Sequence, residues 1–170
     1  MYRTIGILLL STFLLFLSCE KTEEYSNIPE ITFVDALISD TIEAKLGNPI
    51  KRVAVKFKFI DGDGDLGLSK KDTFGDFAPT KPYYYNLKFS VFEKKNNQWV
   101  LKENTKPYFR FLDISKKETD NNVLKGYMIV NIDFLKNITF TDTLRLDFFI
   151  YDRALHQSNT ESTHEIYLYE

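Results

Sequence analysis

The run Asp61-Gly62-Asp63-Gly64-Asp65-Leu66-Gly67 sets three carboxylates at alternate positions and holds three of the chain's seven glycines. Carboxylates this close repel one another unless a cation or protons neutralise them. Glycine lets the backbone fold sharply enough for side-chain and carbonyl oxygens to converge. A hard cation that takes six to eight oxygens at about 2.3–2.6 Å suits such a set, and calcium suits it better than magnesium. Asp61, Asp63 and Asp65 match the first, third and fifth ligand positions of an EF-hand, and Asp72 falls at the twelfth. Against that, Leu66 stands where an EF-hand needs its turn glycine, and the flanks read as strand and loop. A metal-free turn is the competing reading, because Asp and Gly are both ordinary turn formers.

A second polar segment, Tyr151-Asp152-Arg153-Ala154-Leu155-His156-Gln157-Ser158-Asn159, follows an apolar alternating stretch. Asp152 is a candidate fourth ligand. Arg153 is ambiguous, since a guanidinium beside the acids would partly replace a cation. Asn159 is either a carbonyl ligand or a turn cap. His156 reads as a loop hydrogen-bonder, and His164 as a surface residue beside the last strand. These are the chain's two histidines. No HExxH pair, GxSxG elbow or phosphate-cradling loop occurs, and the Asp–Gly run is too crowded for a glycosidase carboxyl pair. The sequence therefore reads as non-catalytic.

Positioning these groups falls to strands. Val53, Val55, Phe57 and Phe59 alternate with Ala54, Lys56 and Lys58. Tyr85, Leu87, Phe89 and Val91 alternate with Asn86, Lys88 and Ser90, and a turn at Lys95–Gln98 leads into Trp99–Leu101. Short strands are expected at Ile31–Val34, Tyr108–Leu112 and Ile166–Tyr169, and longer ones with inward sets Leu124, Gly126, Met128, Val130, Ile132 and Leu144, Leu146, Phe148, Ile150. Period-two alternation marks half-buried strands. Seven to nine of them predict an all-β, immunoglobulin-like antiparallel β-sandwich, with a closed barrel as runner-up. In such a sandwich the second and sixth strands end at one pole, which would bring Asp152 to Asp61–Asp65.

The 170 residues amount to one domain with a short tail, and aromatic residues make up 15%. A formal net charge of -2 leaves no basic field for nucleic acid. The one cysteine excludes an internal disulfide.

The N-terminus reads as an address. Arg3 precedes Ile5–Leu17, an apolar run of thirteen residues. A membrane-spanning helix needs about 20 residues, so this run fits the apolar region of a signal peptide. Leu17-Ser18-Cys19 follows and resembles the bacterial lipobox, although Phe16 is bulkier than that pattern prefers. The resemblance implies cleavage after residue 18 and acylation of Cys19. The expected division is residues 1–18 as signal peptide, 19–29 as lipidated cysteine and flexible tether, and 30–170 as sandwich. Glu20, Glu23 and Glu24 form an acidic cluster after Cys19 that resembles the surface-export signal of Bacteroidota lipoproteins.

Taken with the lipobox, "FKFIDGDGDLGL" (Phe57 to Leu68) and "YDRALHQSN" (Tyr151 to Asn159) resemble a group of uncharacterised Bacteroidota lipoproteins with a single immunoglobulin-like sandwich. That resemblance implies the fold and an outer-membrane, cell-surface location, but no activity. The functional expectation is a non-catalytic envelope lipoprotein that presents loops to a protein or glycan. The alternative is a structural accessory subunit of an outer-membrane transport or secretion complex. The loop Ser69–Pro82, with Phe74 and Phe77, is either a contact surface or a cover over the open end of the sandwich.

Overall fold

The computed structural model describes residues 24–114, 123–136 and 143–168. Cys19, the signal sequence and most of the polar stretch 113–122 therefore lie outside the described residues. Nine strands are present in the described part: β1 (Glu30–Ile42), β2 (Pro49–Asp61), β3 (Leu87–Lys95), β4 (Gln98–Leu101), β5 (Tyr108–Phe109), β6 (Leu124–Leu135), β7 (Thr143–Ile150), β8 (Glu161–Ser162) and β9 (Ile166–Tyr167). Two single 3-10 turns, Gly75–Phe77 and Pro82–Tyr84, interrupt the long connection from β2 to β3.

The strands form two antiparallel sheets. One has the order β1-β2-β6, and the other runs β4-β3-β7-β8, with β5 on β3 and β9 on β7. The chain changes sheet three times, between β2 and β3, between β5 and β6 and between β6 and β7, as in an immunoglobulin-like Greek key. The fold is an all-β antiparallel sandwich.

Alternation decides which faces meet. Val53, Val55, Phe57 and Phe59 of β2 point inward beside Val130, Ile132 and Phe134 of β6. Phe89 and Val91 of β3 and Leu144, Leu146, Phe148 and Ile150 of β7 form the opposing layer. Phe148 joins the layers, its ring centroid lying 5.2 Å from that of Phe57 and 5.1 Å from that of Phe89. Asn96 and Asn97 turn from β3 to β4 at φ 49° and 63°, the left-handed region that asparagine tolerates.

Three expectations are corrected. Tyr85 does not belong to the inward set of β3, which begins at Leu87; Tyr85 lies beyond the strand and is exposed. Asn86, expected to face outward, is 1% exposed. Its amide brackets the backbone of Phe111, donating to the carbonyl at 3.0 Å and accepting from the N–H at 2.8 Å. The strand expected at Tyr108–Leu112 pairs with β3 only as far as Phe109; beyond it Asn86 holds the backbone of Phe111 and Leu112 bridges Leu68 instead.

Candidate metal centre

Asp61 occupies the last position of β2 and continues the inward set Val53, Val55, Phe57 and Phe59. The strand's own alternation thus drives a carboxylate into the interior, where it is 0% exposed. The turn that follows bends back through Gly64 at φ +70° and Gly67 at φ +92°. It returns Asp63 and Asp65 to the same spot. One oxygen from each of Asp61, Asp63 and Asp65 lies within 4.8 Å of the other two. Two oxygens that share an ion at about 2.4 Å each can be no further apart than this.

Four oxygens of this cluster are buried without a hydrogen-bond partner: both of Asp61 and one each of Asp63 and Asp65. Burial pushes the Asp61 carboxyl up to about 7, helped by the charges of Asp63, Asp65 and Asp152. The dipole of the Asp65 amide only partly offsets this, from outside good hydrogen-bond geometry. Asp65 is also raised, by burial and then by Asp152 and Asp63, against the lowering effect of the Arg153 and Ala154 amides.

The segment after β7 does come to this pole. Asp152 forms an isolated antiparallel bridge with Leu66, and the Ala154 N–H donates to Oδ2 of Asp65 at 3.0 Å. The Asp152 side chain, however, is engaged elsewhere. Its Oδ1 accepts from the His156 N–H at 2.7 Å, and its Oδ2 meets His156 Nδ1 at 2.8 Å. That bond raises the His156 pKa. Asp152 therefore borders the three-carboxylate cluster as a neighbouring charge and is not one of the three converging groups.

Arg153 pairs with Asp72 at 3.1 Å and with Asp113 at 3.5 Å. Both are outside the cluster, so its guanidinium does not stand in for a cation there. Asn159 is neither a ligand nor a turn cap. Its side chain accepts from the Ile31 N–H and donates to the Ile31 carbonyl, each at 2.8 Å, extending β1 as a further strand would. His164 lies on the surface, edge-on to Phe33 with ring centroids 5.5 Å apart.

Two features of the pole have no counterpart in the sequence pattern. First, residues before β1 pack on the Asp–Gly turn: the Gly62 N–H donates to the Ser26 carbonyl at 2.9 Å, and Lys125 lies 3.6 Å from the centroid of the Tyr25 ring. A side chain at position 62 would put its Cβ 2.4 Å from the Tyr25 carbonyl oxygen, so this glycine is needed for close approach. Second, Arg110 pins the loop Ser69–Pro82 by donating to the carbonyls of Tyr84, Ser69 and Asp72 at 2.8–2.9 Å.

Fold and site together define a β-sandwich with a tri-carboxylate cluster at one pole, Asp61 buried and Asp63 and Asp65 half-buried. No protein-family model matches the chain, and neither a curated protein nor a solved structure matches it.

Proposed function

We propose that this chain is a non-catalytic lipoprotein of the bacterial cell envelope, held on the outer membrane at the cell surface by acyl chains on Cys19. Its sandwich is braced by calcium at the Asp–Gly pole and presents loops and outer sheet faces to a protein or glycan. The observation that carries the calcium part is the Asp61 carboxylate, fully buried with neither oxygen hydrogen-bonded and two more acids beside it. Burying a polar group without a partner costs about 2–7 kcal/mol, and like charges add to that. A divalent cation offsets both costs. The oxygen-only donor set suits calcium, and the Arg153 guanidinium pairs with Asp72 and Asp113 and not with the cluster. The anchor part rests on the short apolar run and on Cys19 directly after it.

Scanning calorimetry of the whole chain tests the calcium part. Calcium is expected to raise the melting temperature, a chelator to reverse the rise, and Asp63→Ala to remove it. A transition that neither calcium nor chelator moves overturns it.

The outer face of the β1-β2-β6 sheet favours a second reading, the accessory subunit. Leu37, Tyr127 and Ile129 stand exposed on that face and suit packing against a protein. Gentle detergent extraction that yields a stoichiometric membrane partner supports the subunit; binding on a glycan array supports the first reading.

A further inference from the structure

We infer that the Asp–Gly pole is a lipid-facing surface, with the loop Ser69–Pro82 setting Phe74 into the headgroup region of an anionic bilayer. This rests on the lipid-anchor reading above and adds a second contact to it.

The chain reaches the domain at this pole. Ser26 is hydrogen-bonded to Gly62, and only seven positions separate it from Cys19. Seven residues span at most about 25 Å when fully extended. An acylated Cys19 therefore keeps the Asp–Gly turn within that distance of the bilayer. The other connections meet at this pole: Leu68 bridges Leu112, and Leu87 at the start of β3 pairs with Ile150 at the end of β7.

The loop is suited to that position. Phe74 is 75% exposed although the turn around it is tied down. Arg110 holds the carbonyls of Ser69 and Asp72, the Asp72 carboxylate accepts from the Ser69 N–H at 2.7 Å, and Arg153 pairs with Asp72. An apolar ring held in water by an ordered turn gains by entering the headgroup/acyl boundary of a membrane, as the Phe, Trp and Leu side chains of interfacial helices do. Lys70, Lys71 and Lys81 are exposed on the same loop, against a single exposed acid, Asp76. Each basic residue near an anionic surface strengthens attachment about fivefold.

The test uses the full lipidated chain reconstituted with calcium into vesicles of phosphatidylethanolamine and phosphatidylglycerol containing brominated lipid. The chain's one tryptophan, Trp99, is paired with Lys94, seven residues along β3 from Leu87 and so about 23 Å up the strand. In the parent, Trp99 is expected to remain unquenched. With Trp99→Phe as background, Phe74→Trp is expected to emit at shorter wavelength and be quenched by brominated lipid. Leu46→Trp, at a 77% exposed site on the opposite β1–β2 turn, is expected to stay unquenched. Adding Lys70→Glu and Lys71→Glu to Phe74→Trp is expected to weaken quenching. Flotation separates the two ideas. A chain that floats while the probes at 74 and 46 quench equally overturns the lipid-facing pole and leaves the anchor. A chain that does not float overturns the anchor and this inference with it.

Discussion

Ala154 donates its backbone N–H to Oδ2 of Asp65 at 3.0 Å, across 89 positions of chain. The loop after β7 is thus built onto the Asp–Gly turn, and the pole behaves as one unit formed from β2, β7 and the residues preceding β1. Its unmet requirement is charge. The two backbone groups and one histidine that reach the acids satisfy one oxygen of Asp65 and both of Asp152, and leave both oxygens of Asp61 and one each of Asp63 and Asp65 without a partner.

Replacing Asp61 by Asn separates the cost of this charge from its use. Without calcium, Asp61→Asn is expected to melt no lower than the parent, since a neutral amide removes a buried, repelled charge. With calcium at a hundred times its dissociation constant, the parent gains about 2.7 kcal/mol and the variant does not. Calorimetry of both proteins with calcium and with chelator measures the difference.

The same carboxylate sets a pH dependence in the calcium-free protein. Its folded pKa is raised to about 7 from 3.8, so between these values the folded state binds more protons than the unfolded state. Stability from this group is then fully present below pH 3.8 and is lost as pH rises through 7. Urea midpoints in chelator are expected to fall across that window on account of this group. Asp61→Asn is expected to flatten the fall.

Gly62→Ala would drive a Cβ to 2.4 Å from the Tyr25 carbonyl oxygen and 2.5 Å from that of Ser26. The neighbours are backbone, so the N-terminal segment must lift away. Limited proteolysis is expected to cut at residues 24–29 much faster in the variant, with a stability loss of about 1–3 kcal/mol. Unchanged protection of that segment would show that the contact contributes nothing.

Asn86→Ala removes the amide that satisfies both backbone groups of Phe111. The Phe111 carbonyl keeps its bond from the Leu68 N–H at 3.2 Å, so the Phe111 N–H alone loses its partner; denaturant unfolding is expected to show a loss of about 1–3 kcal/mol. Because Phe111 neighbours Arg110, hydrogen exchange in the loop Ser69–Pro82 is expected to quicken in the same variant.

The sheets were legible in the sequence because a strand's alternation is local. Leu144, Leu146, Phe148 and Ile150 announce their inward face without reference to any other segment. Where alternation failed as a guide, a polar group had replaced it. Tyr85 and Asn86 continue the pattern of β3 on paper, yet the Asn86 amide pulls the chain into a backbone clasp that no periodicity describes. Asn159 had two plausible local roles and took neither, since its real partner, Ile31, lies 128 positions away.

The sequence by itself determined the alternating strands, the crowding of Asp61, Asp63 and Asp65, and the glycines that let the turn close, all of which depend on neighbours a few residues apart. Only the tertiary structure decided that Asp61 is sealed from water, that Asp152 is spent on His156 and Arg153 on Asp72 and Asp113, and that Ser26 lies against Gly62. Those outcomes depend on which distant groups come within hydrogen-bonding distance once the two sheets have packed. Burial and the partners it leaves available are properties of the assembled sandwich, and residue spacing along the chain does not encode them.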